Sequence, residues 1–303
     1  MIKLKIGYII CGCITGCIIL LNFLITLPDG KLHLVICDVG QGDAIYVRFP
    51  DGRDMLVDGG PDDSVISCLG RHMPFWDRSI DIVVLTHPEK DHLQGLLTVM
   101  ERFQIGYVLR SDVTSVSDGF TAFQGRTRAH AIPVRIVHMG ERISVGASRV
   151  SVMWPSLDQI MAMQPDTAPD ASTILGASTE HRNDGSLVLW LRYGVFDAWL
   201  SGDADTRVES KYRGRSLSDR SIEVLKVPHH GSATGMSKEY LDWLNPLLAV
   251  VSVGRNTYGH PSPNVLSMLA EKGIRVLRTD QQGDIELVSD GSRWNVLSGV
   301  KSK

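Results

Sequence analysis

Residues 80–92 read Ile80-Asp81-Ile82-Val83-Val84-Leu85-Thr86-His87-Pro88-Glu89-Lys90-Asp91-His92. Ile80 to Leu85 is an almost uninterrupted apolar run of strand length, which implies a strand buried on both faces. From Leu93 to Phe103 the pattern changes, and Leu93, Leu96, Leu97 and Met100 recur at helical spacing. Between the two, His87, Glu89, Asp91 and His92 place four potential ligands within six residues. Imidazole and carboxylate together suit zinc or manganese, and a loop at a strand end can aim alternate side chains at one point. A single histidine there would be read as structural. Two histidines and two acids at H-x-E-x-D-H spacing are read as a metal site.

On the N-terminal side, Leu32 to Cys37, Ala44 to Phe49 and Asp54 to Val57 look like strands, with Asp51-Gly52 as a hairpin turn. Val65 to His72 is a short helix candidate. On the C-terminal side, Arg149 to Trp154, Leu187 to Tyr193, Ala198 to Ser201, Val224 to Val227, Ala249 to Val253 and Val276 to Arg278 read as strands. Pro263 to Lys272 reads as a helix ending at Gly273. Pro155 to Arg182 has no clear periodicity, and is expected to fringe a site or hide a short helix. Strands come in groups with helices interspersed and no strict βαβα alternation. No internal repeat and no linker interrupts the chain after Lys31, so one layered α/β domain over residues 29–303 is expected.

Two further clusters lie at strand ends. Leu200-Ser201-Gly202-Asp203-Ala204-Asp205 offers a carboxylate suited to bridging two metals, although a turn aspartate would look the same. Val227-Pro228-His229-His230-Gly231-Ser232 offers adjacent histidines, of which one can ligate while the other packs or donates a hydrogen bond. Asp38-Val39-Gly40-Gln41-Gly42 superficially resembles a nucleotide-binding loop, but no third glycine follows and a strand comes next. G-x-S-x-G, H-E-x-x-H and P-loop patterns are all absent.

Residues 1–28 form a separate segment. Ile6 to Leu27 contains 22 uncharged residues, enough to span a hydrocarbon core of about 30 Å. Lys3 and Lys5 precede it and Asp29 follows, so the positive-inside bias puts the N-terminus in the cytoplasm and the rest outside. A cleaved signal segment is the rival reading, and Ile14-Thr15-Gly16-Cys17 resembles a lipoprotein-processing box. The expectation is a single-pass anchor with the catalytic domain extracytoplasmic. Formal net charge is −3, which does not suit a protein that grips long nucleic acid by non-specific phosphate contacts, though a local basic groove is compatible with it. Arg207, Lys211, Arg213, Arg215 and Arg220 form one basic stretch, read equally well as a solvated face. Cys11, Cys13 and Cys17 lie in the apolar run, leaving Cys37 and Cys68. There is no C-x-x-C pair. Cys37, in a strand pattern, is expected to act as a small buried hydrophobe.

The order of motifs resembles the hydrolase domain of ComEC-type competence proteins, within the metallo-β-lactamase fold. The resemblance rests on Asp38 to Ala44 (DVGQGDA), Leu56 to Gly60 (LVDGG), the His87 cluster, Asn183 to Leu189 (NDGSLVL), Ser201 to Ala204 (SGDA), Lys226 to Ser232 (KVPHHGS) and Tyr258 to Pro261 (YGHP). It covers Lys31 to about Val288. It implies an αββα sandwich holding two divalent ions, Zn²⁺ or Mn²⁺. By this carry-over His87 serves the first metal, Asp91 and His92 the second, Asp203 bridges, and His229 completes the second position in preference to His230. Asp58 supports the site by hydrogen bonds.

Glu89 stands where many members of the fold have a second histidine, and would ligate through oxygen. The third family motif offers Asn183, Asp184 and Ser186 in place of histidine, with His181 a weak candidate. Asp43 and His260 are expected beside the site, and His230 or His260 to contact substrate or leaving group. The resemblance implies phosphodiester hydrolysis, with DNA the substrate suggested. No multi-span channel segment accompanies it, so a transport role would require a separate channel protein. Alternatives are an envelope phosphodiesterase or ester hydrolase on another substrate, and a metal-poor binding module at the membrane.

Overall fold

The computed structural model describes residues 6–25, 27–159, 183–214 and 222–298. Most of the Pro155–Arg182 stretch, His181, Arg215 and Arg220 therefore lie outside the described residues.

Two sheets stack face to face. The first has the order β15-β14-β1-β2-β3-β4-β5-β6, built from β1 (Leu32–Ile36), β2 (Ile45–Arg48), β3 (Asp54–Val57), β4 (Ser79–Leu85), β5 (Gln104–Arg110), β6 (Val134–Ile136), β14 (Ile285–Ser289) and β15 (Trp294–Ser298). The second has the order β13-β12-β11-β10-β9-β8-β7, from β7 (Arg142–Val145), β8 (Ser148–Trp154), β9 (Val188–Tyr193), β10 (Phe196–Leu200), β11 (Val224–Lys226), β12 (Leu248–Val251) and β13 (Arg275–Arg278).

Alternation along each strand divides the apolar residues between layers. Leu32, Leu34 and Ile36 of β1 meet Ala198, Leu200 and Val250 in the core between the sheets, whereas Val35 and Cys37 face outward. On that outer face lie α2 (Ser64–His72), α3 (Lys90–Arg102) and α4 (Asp118–Ala129), contributing Leu69, Leu96, Met100 and Phe123. The second sheet is covered in the same way by α5 (Thr206–Tyr212), α6 (Lys238–Leu244) and α7 (Pro263–Glu271). The layering is αββα, as the resemblance implied. The helix expected from Pro263 has Ser262 as its N-cap, accepting from Val265 N, and stops just ahead of Gly273 at φ +67°.

Each sheet is parallel in one half. β3, β4, β5 and β6 run parallel in one, and β10, β11, β12 and β13 in the other. Residues 58, 86–92, 202–203 and 227–232 all follow the C-terminal ends of these strands. That register collects the motif residues along one edge of the sandwich.

Two expectations are revised. Cys37 is not merely a small hydrophobe: it is disulfide-bonded to Cys68, Cα–Cα 5.8 Å, tying the end of β1 to α2. Helix α1 occupies Ile6–Ile25, and its described side chains, residues 7–21, are all exposed. Among the described residues no helix is long and apolar enough to cross a membrane. The expected spanning helix is thus not shown by the structure.

Candidate metal centre

The loop after β3 supports the site from below. Asp58 sits at φ +59°, an unusual conformation for a residue with a side chain. Its Oδ1 accepts from Thr86 N at 2.8 Å and its Oδ2 from Thr86 Oγ1 at 2.7 Å. His92 Nδ1 is 2.8 Å from the same Oδ2, so the carboxylate holds the proton on Nδ1 and leaves Nε2 as the donor pair. Gly59 and Gly95 allow this contact. A Cβ on Gly95 would collide with the Gly59 carbonyl, so only glycine lets α3 approach closely enough. Asp58 therefore positions the His92 ring.

The donors converge above that base. His92 Nε2 is 3.3 Å from Asp203 Oδ2, and His230 Nε2 is 3.4 Å from both Asp203 Oδ2 and Asp91 Oδ2. One ligand atom each from Asp91, His92, Asp203 and His230 lies within 4.8 Å of the other three. His230 Nδ1 donates to Ser252 O at 3.0 Å, which again leaves Nε2 facing inward. The geometry puts His230 in this four-donor group, where the sequence reading had preferred His229. His229 Nε2 lies 3.9 Å from Asp203 Oδ2 and 3.5 Å from Asn183 Nδ2. Both histidines have positive φ, +49° and +54°. Two adjacent left-handed residues after Pro228 let neighbouring rings address one site, at a backbone cost of about 1–3 kcal/mol each.

His87 is fully buried, with its ring centroid 4.2 Å from that of His92. Its Nδ1 lies 3.1 Å from Thr86 Oγ1 and 3.4 Å from Ser186 Oγ. Ser186 Oγ also accepts from Asp203 N at 3.0 Å, so Ser186 joins the His87 loop to the Asp203 loop. Glu89 stands outside the four-donor group, half-buried at the N-cap of α3. His260 is half-buried, its ring 5.7 Å from that of His229.

The electrostatics favour bound cations. Asp203 is held well below the usual carboxylate range: burial opposes ionisation, but His230 and His92 outweigh it. Asp91 is lowered to about 2 against its burial, chiefly by His92 and His230. Burial disfavours charged rings at His92 and His230, yet the surrounding aspartates push both well above their ordinary value. His87 goes the other way, down to about 3, through burial and then the nearby His92 charge. A neutral imidazole is the form that binds metal.

Lys226, quoted in the sequence only as the start of a motif, was given no role there. Its ammonium is fully buried, pairs with Asp43, donates to Gly202 O at 3.0 Å and lies 3.7 Å from Asp203 Oδ1. Burial works against its charge, but Asp43 and Asp203 raise its pKa above the ordinary value. Asp43 also approaches His230 Nδ1 at 3.4 Å, and so supports the site. A lysine inside an apolar strand was the available signal.

The residues present fit a metal. His87 Nε2, His92 Nε2, His230 Nε2 and Asp203 Oδ1 are buried with no hydrogen-bond partner. Buried polar atoms of this kind are costly unless something coordinates them.

Similar arrangements of strands and helices occur in solved proteins. The metallo-β-lactamase fold protein YhfI from Bacillus subtilis superposes with a TM-score of 0.51, covering 84% of this chain and 99% of that one at 12% identity. The chain has the metallo-β-lactamase fold. No family model matches the sequence. Among curated proteins, the chain is 27% identical over 293 residues to ComE operon protein 3 of Bacillus subtilis, covering 90% of this chain and 35% of that protein. It is 25% identical to competence protein ComA of Neisseria gonorrhoeae, covering 86% of this chain and 33% of that protein. The chain thus spans about a third of the length of these relatives. They support the ComEC-type resemblance for this metallo-β-lactamase-fold domain.

Proposed function

We propose that this metallo-β-lactamase-fold domain is a metal-dependent phosphodiesterase that cuts DNA outside the cytoplasmic membrane. The observation that carries the reading is the convergence of Asp91, His92, Asp203 and His230 within 4.8 Å, on a chain whose relatives include ComE operon protein 3 and competence protein ComA. In this reading Asp91, His92 and His230 would hold one divalent ion and His87 with His229 a second, Asp203 would serve both, and Glu89 would be a further oxygen donor. Two such ions, Zn²⁺ or Mn²⁺, would supply a nucleophilic hydroxide from water at neutral pH and offset charge on the phosphoryl oxygens. The protein's own residues do the orienting. Asp58 and Ser252 fix the ring nitrogens of His92 and His230, Ser186 fixes the Asp203 backbone, and His260 at the rim contacts substrate or leaving group.

Two features support an extracytoplasmic, membrane-anchored domain. The described side chains of α1 are exposed and include Ile9, Ile10, Ile14, Ile18, Leu20 and Leu21, an apolar sleeve that suits lipid better than water. The Cys37–Cys68 disulfide suits an oxidising compartment.

The test is cleavage of labelled single-stranded DNA by the purified full chain with Mn²⁺ or Zn²⁺, beside Asp203→Asn. Metal-dependent cutting that disappears in the variant supports the reading. Intact DNA from metal-loaded protein would transfer the site to another envelope ester, and the nuclease assignment would fall.

A further inference from the structure

The loop from Gly254 to Pro261 carries an aromatic ring into solvent beside the metal-ligand cluster. Tyr258 is 75% exposed, whereas Tyr46, Tyr212 and Tyr240 are fully buried. One exposed tyrosine is unremarkable by itself, but this one is rigidly mounted. Asn256 Nδ2 donates to Gly254 O at 2.9 Å and to His260 O at 2.8 Å. Its Oδ1 accepts from Tyr258 N at 3.1 Å and from His260 N at 3.0 Å. Four hydrogen bonds from one amide fix the backbone under the ring, so little conformational freedom is left to lose on binding.

The ring also begins a series of rings leading inward. Tyr258 lies 5.7 Å from His260, His260 5.7 Å from His229, His229 6.2 Å from His230, and His230 5.4 Å from His92. Arg255, exposed, lines an open recess of about 340 Å³ together with Tyr258, Asn256 and Gln41. An aromatic face and a guanidinium in one recess match the two chemistries of a nucleotide, a π-face and a phosphate.

We infer that Tyr258 is a stacking platform for a nucleobase next to the phosphodiester being cut, with Arg255 pairing a neighbouring phosphate. The inference rests on the phosphodiesterase reading above and extends it to single-stranded nucleic acid. Bases in a duplex are already stacked on one another, so only an unpaired base presents a free face. Stacking tolerates any base, and binding should therefore be largely independent of sequence.

The test measures binding by fluorescence anisotropy of the full chain in the Asp203→Asn background, where the strand stays intact. The probes are a labelled oligothymidylate and an equally long tetrahydrofuran-spacer strand with the same phosphates and no bases. Tyr258→Ala is expected to weaken oligothymidylate binding roughly 5- to 150-fold and leave the base-free strand unchanged, with Tyr258→Trp restoring affinity. Arg255→Gln should lower the slope of log affinity against log salt by about 0.7 on both strands. Equal affinity of Tyr258→Ala and its parent for oligothymidylate, or equal losses on both strands, overturns the platform. Cleavage of the oligothymidylate by the otherwise unaltered chain with Mn²⁺ reports the phosphodiesterase separately. Its failure would remove the nuclease reading while the base-dependent binding still decides the role of Tyr258.

Discussion

Replacing Lys226 with methionine keeps most of the stem volume and removes the one buried ammonium described at the centre of the site. Lys226 Nζ pairs with Asp43, donates to Gly202 O, and stands 3.7 Å from Asp203 Oδ1. Both carboxylates are almost completely buried. Breaking a buried pair by removing one member costs about 3–5 kcal/mol, because the other charge is left uncompensated. For a domain of this size about 1 kcal/mol moves Tm by roughly 2–4 °C, so Lys226→Met should melt about 6–20 °C lower without metal. A second effect has the opposite sign. The ammonium repels any cation that Asp203 holds, so the rise in Tm on adding Mn²⁺ or Zn²⁺ should be larger in the variant. Calorimetry with and without metal measures both, together with Asp43→Asn and the double substitution. The pair should couple, with Asp43→Asn costing at least about 1 kcal/mol less once Lys226 is gone. Additive effects and a metal-free Tm within 2 °C of the unaltered protein, taking about 0.5 kcal/mol as a neutral substitution, would refute the electrostatic argument for this site.

Three other expectations bear on different parts of the molecule. Cys37 and Cys68 are 31 residues apart, and closing such a loop stabilises by roughly 3–4 kcal/mol in the chain-entropy description. The Cys37→Ser, Cys68→Ser double variant should therefore melt about 6–16 °C lower, and lose all sensitivity of Tm to reductant; an unchanged melt would show that the bridge contributes nothing. His230→Ala should lose the ion held with Asp91 and His92, whereas His229→Ala should keep it, as counted by elemental analysis. The reverse pattern would restore the sequence-based preference for His229. His33, between Glu286 Oε1 at 2.7 Å and Asp29 Oδ1 at 3.2 Å, is pushed above its ordinary value by these carboxylates despite its burial. A raised folded pKa stabilises fully below about 6.5, the unfolded value, and that contribution fades as pH rises through the folded value. The Tm advantage of the unaltered protein over His33→Gln should accordingly shrink between pH 6 and pH 9, and a constant advantage would contradict the linkage.

The parts of the fold legible in the sequence were those governed by short-range pattern. Ile80 to Leu85 is strand β4 with its last four residues buried, and Leu93 to Met100 is the buried face of α3, because unbroken apolar runs and helical spacing survive into three dimensions. Residues 104–148 were not legible for the same reason. β6 is exposed at every position, so no apolar alternation marks it, and Gly106 interrupts β5. The two-strand C-terminal ladder of β14 and β15 was likewise missed.

Within the candidate site, the histidines and aspartates stood out as motifs, but which of them converge was not legible. Whether His229 or His230 joins Asp91 depends on two positive φ angles after Pro228, which no spacing rule encodes. The Cys37–Cys68 bridge depends on α2 returning to the end of β1. Lys226 looked like an ordinary strand residue because its partners Asp43 and Asp203 lie far away in the chain.

The most direct test of the account is the metal content of the purified full chain. Elemental analysis and calorimetric titration with Mn²⁺ and Zn²⁺ should find about two ions per chain, in keeping with a two-metal site. Asp203→Asn should lose most of that capacity while keeping its fold by circular dichroism. A folded parent chain that binds no divalent ion, or an Asp203→Asn variant that binds as well as its parent, would contradict the assignment of this cluster as a metal centre.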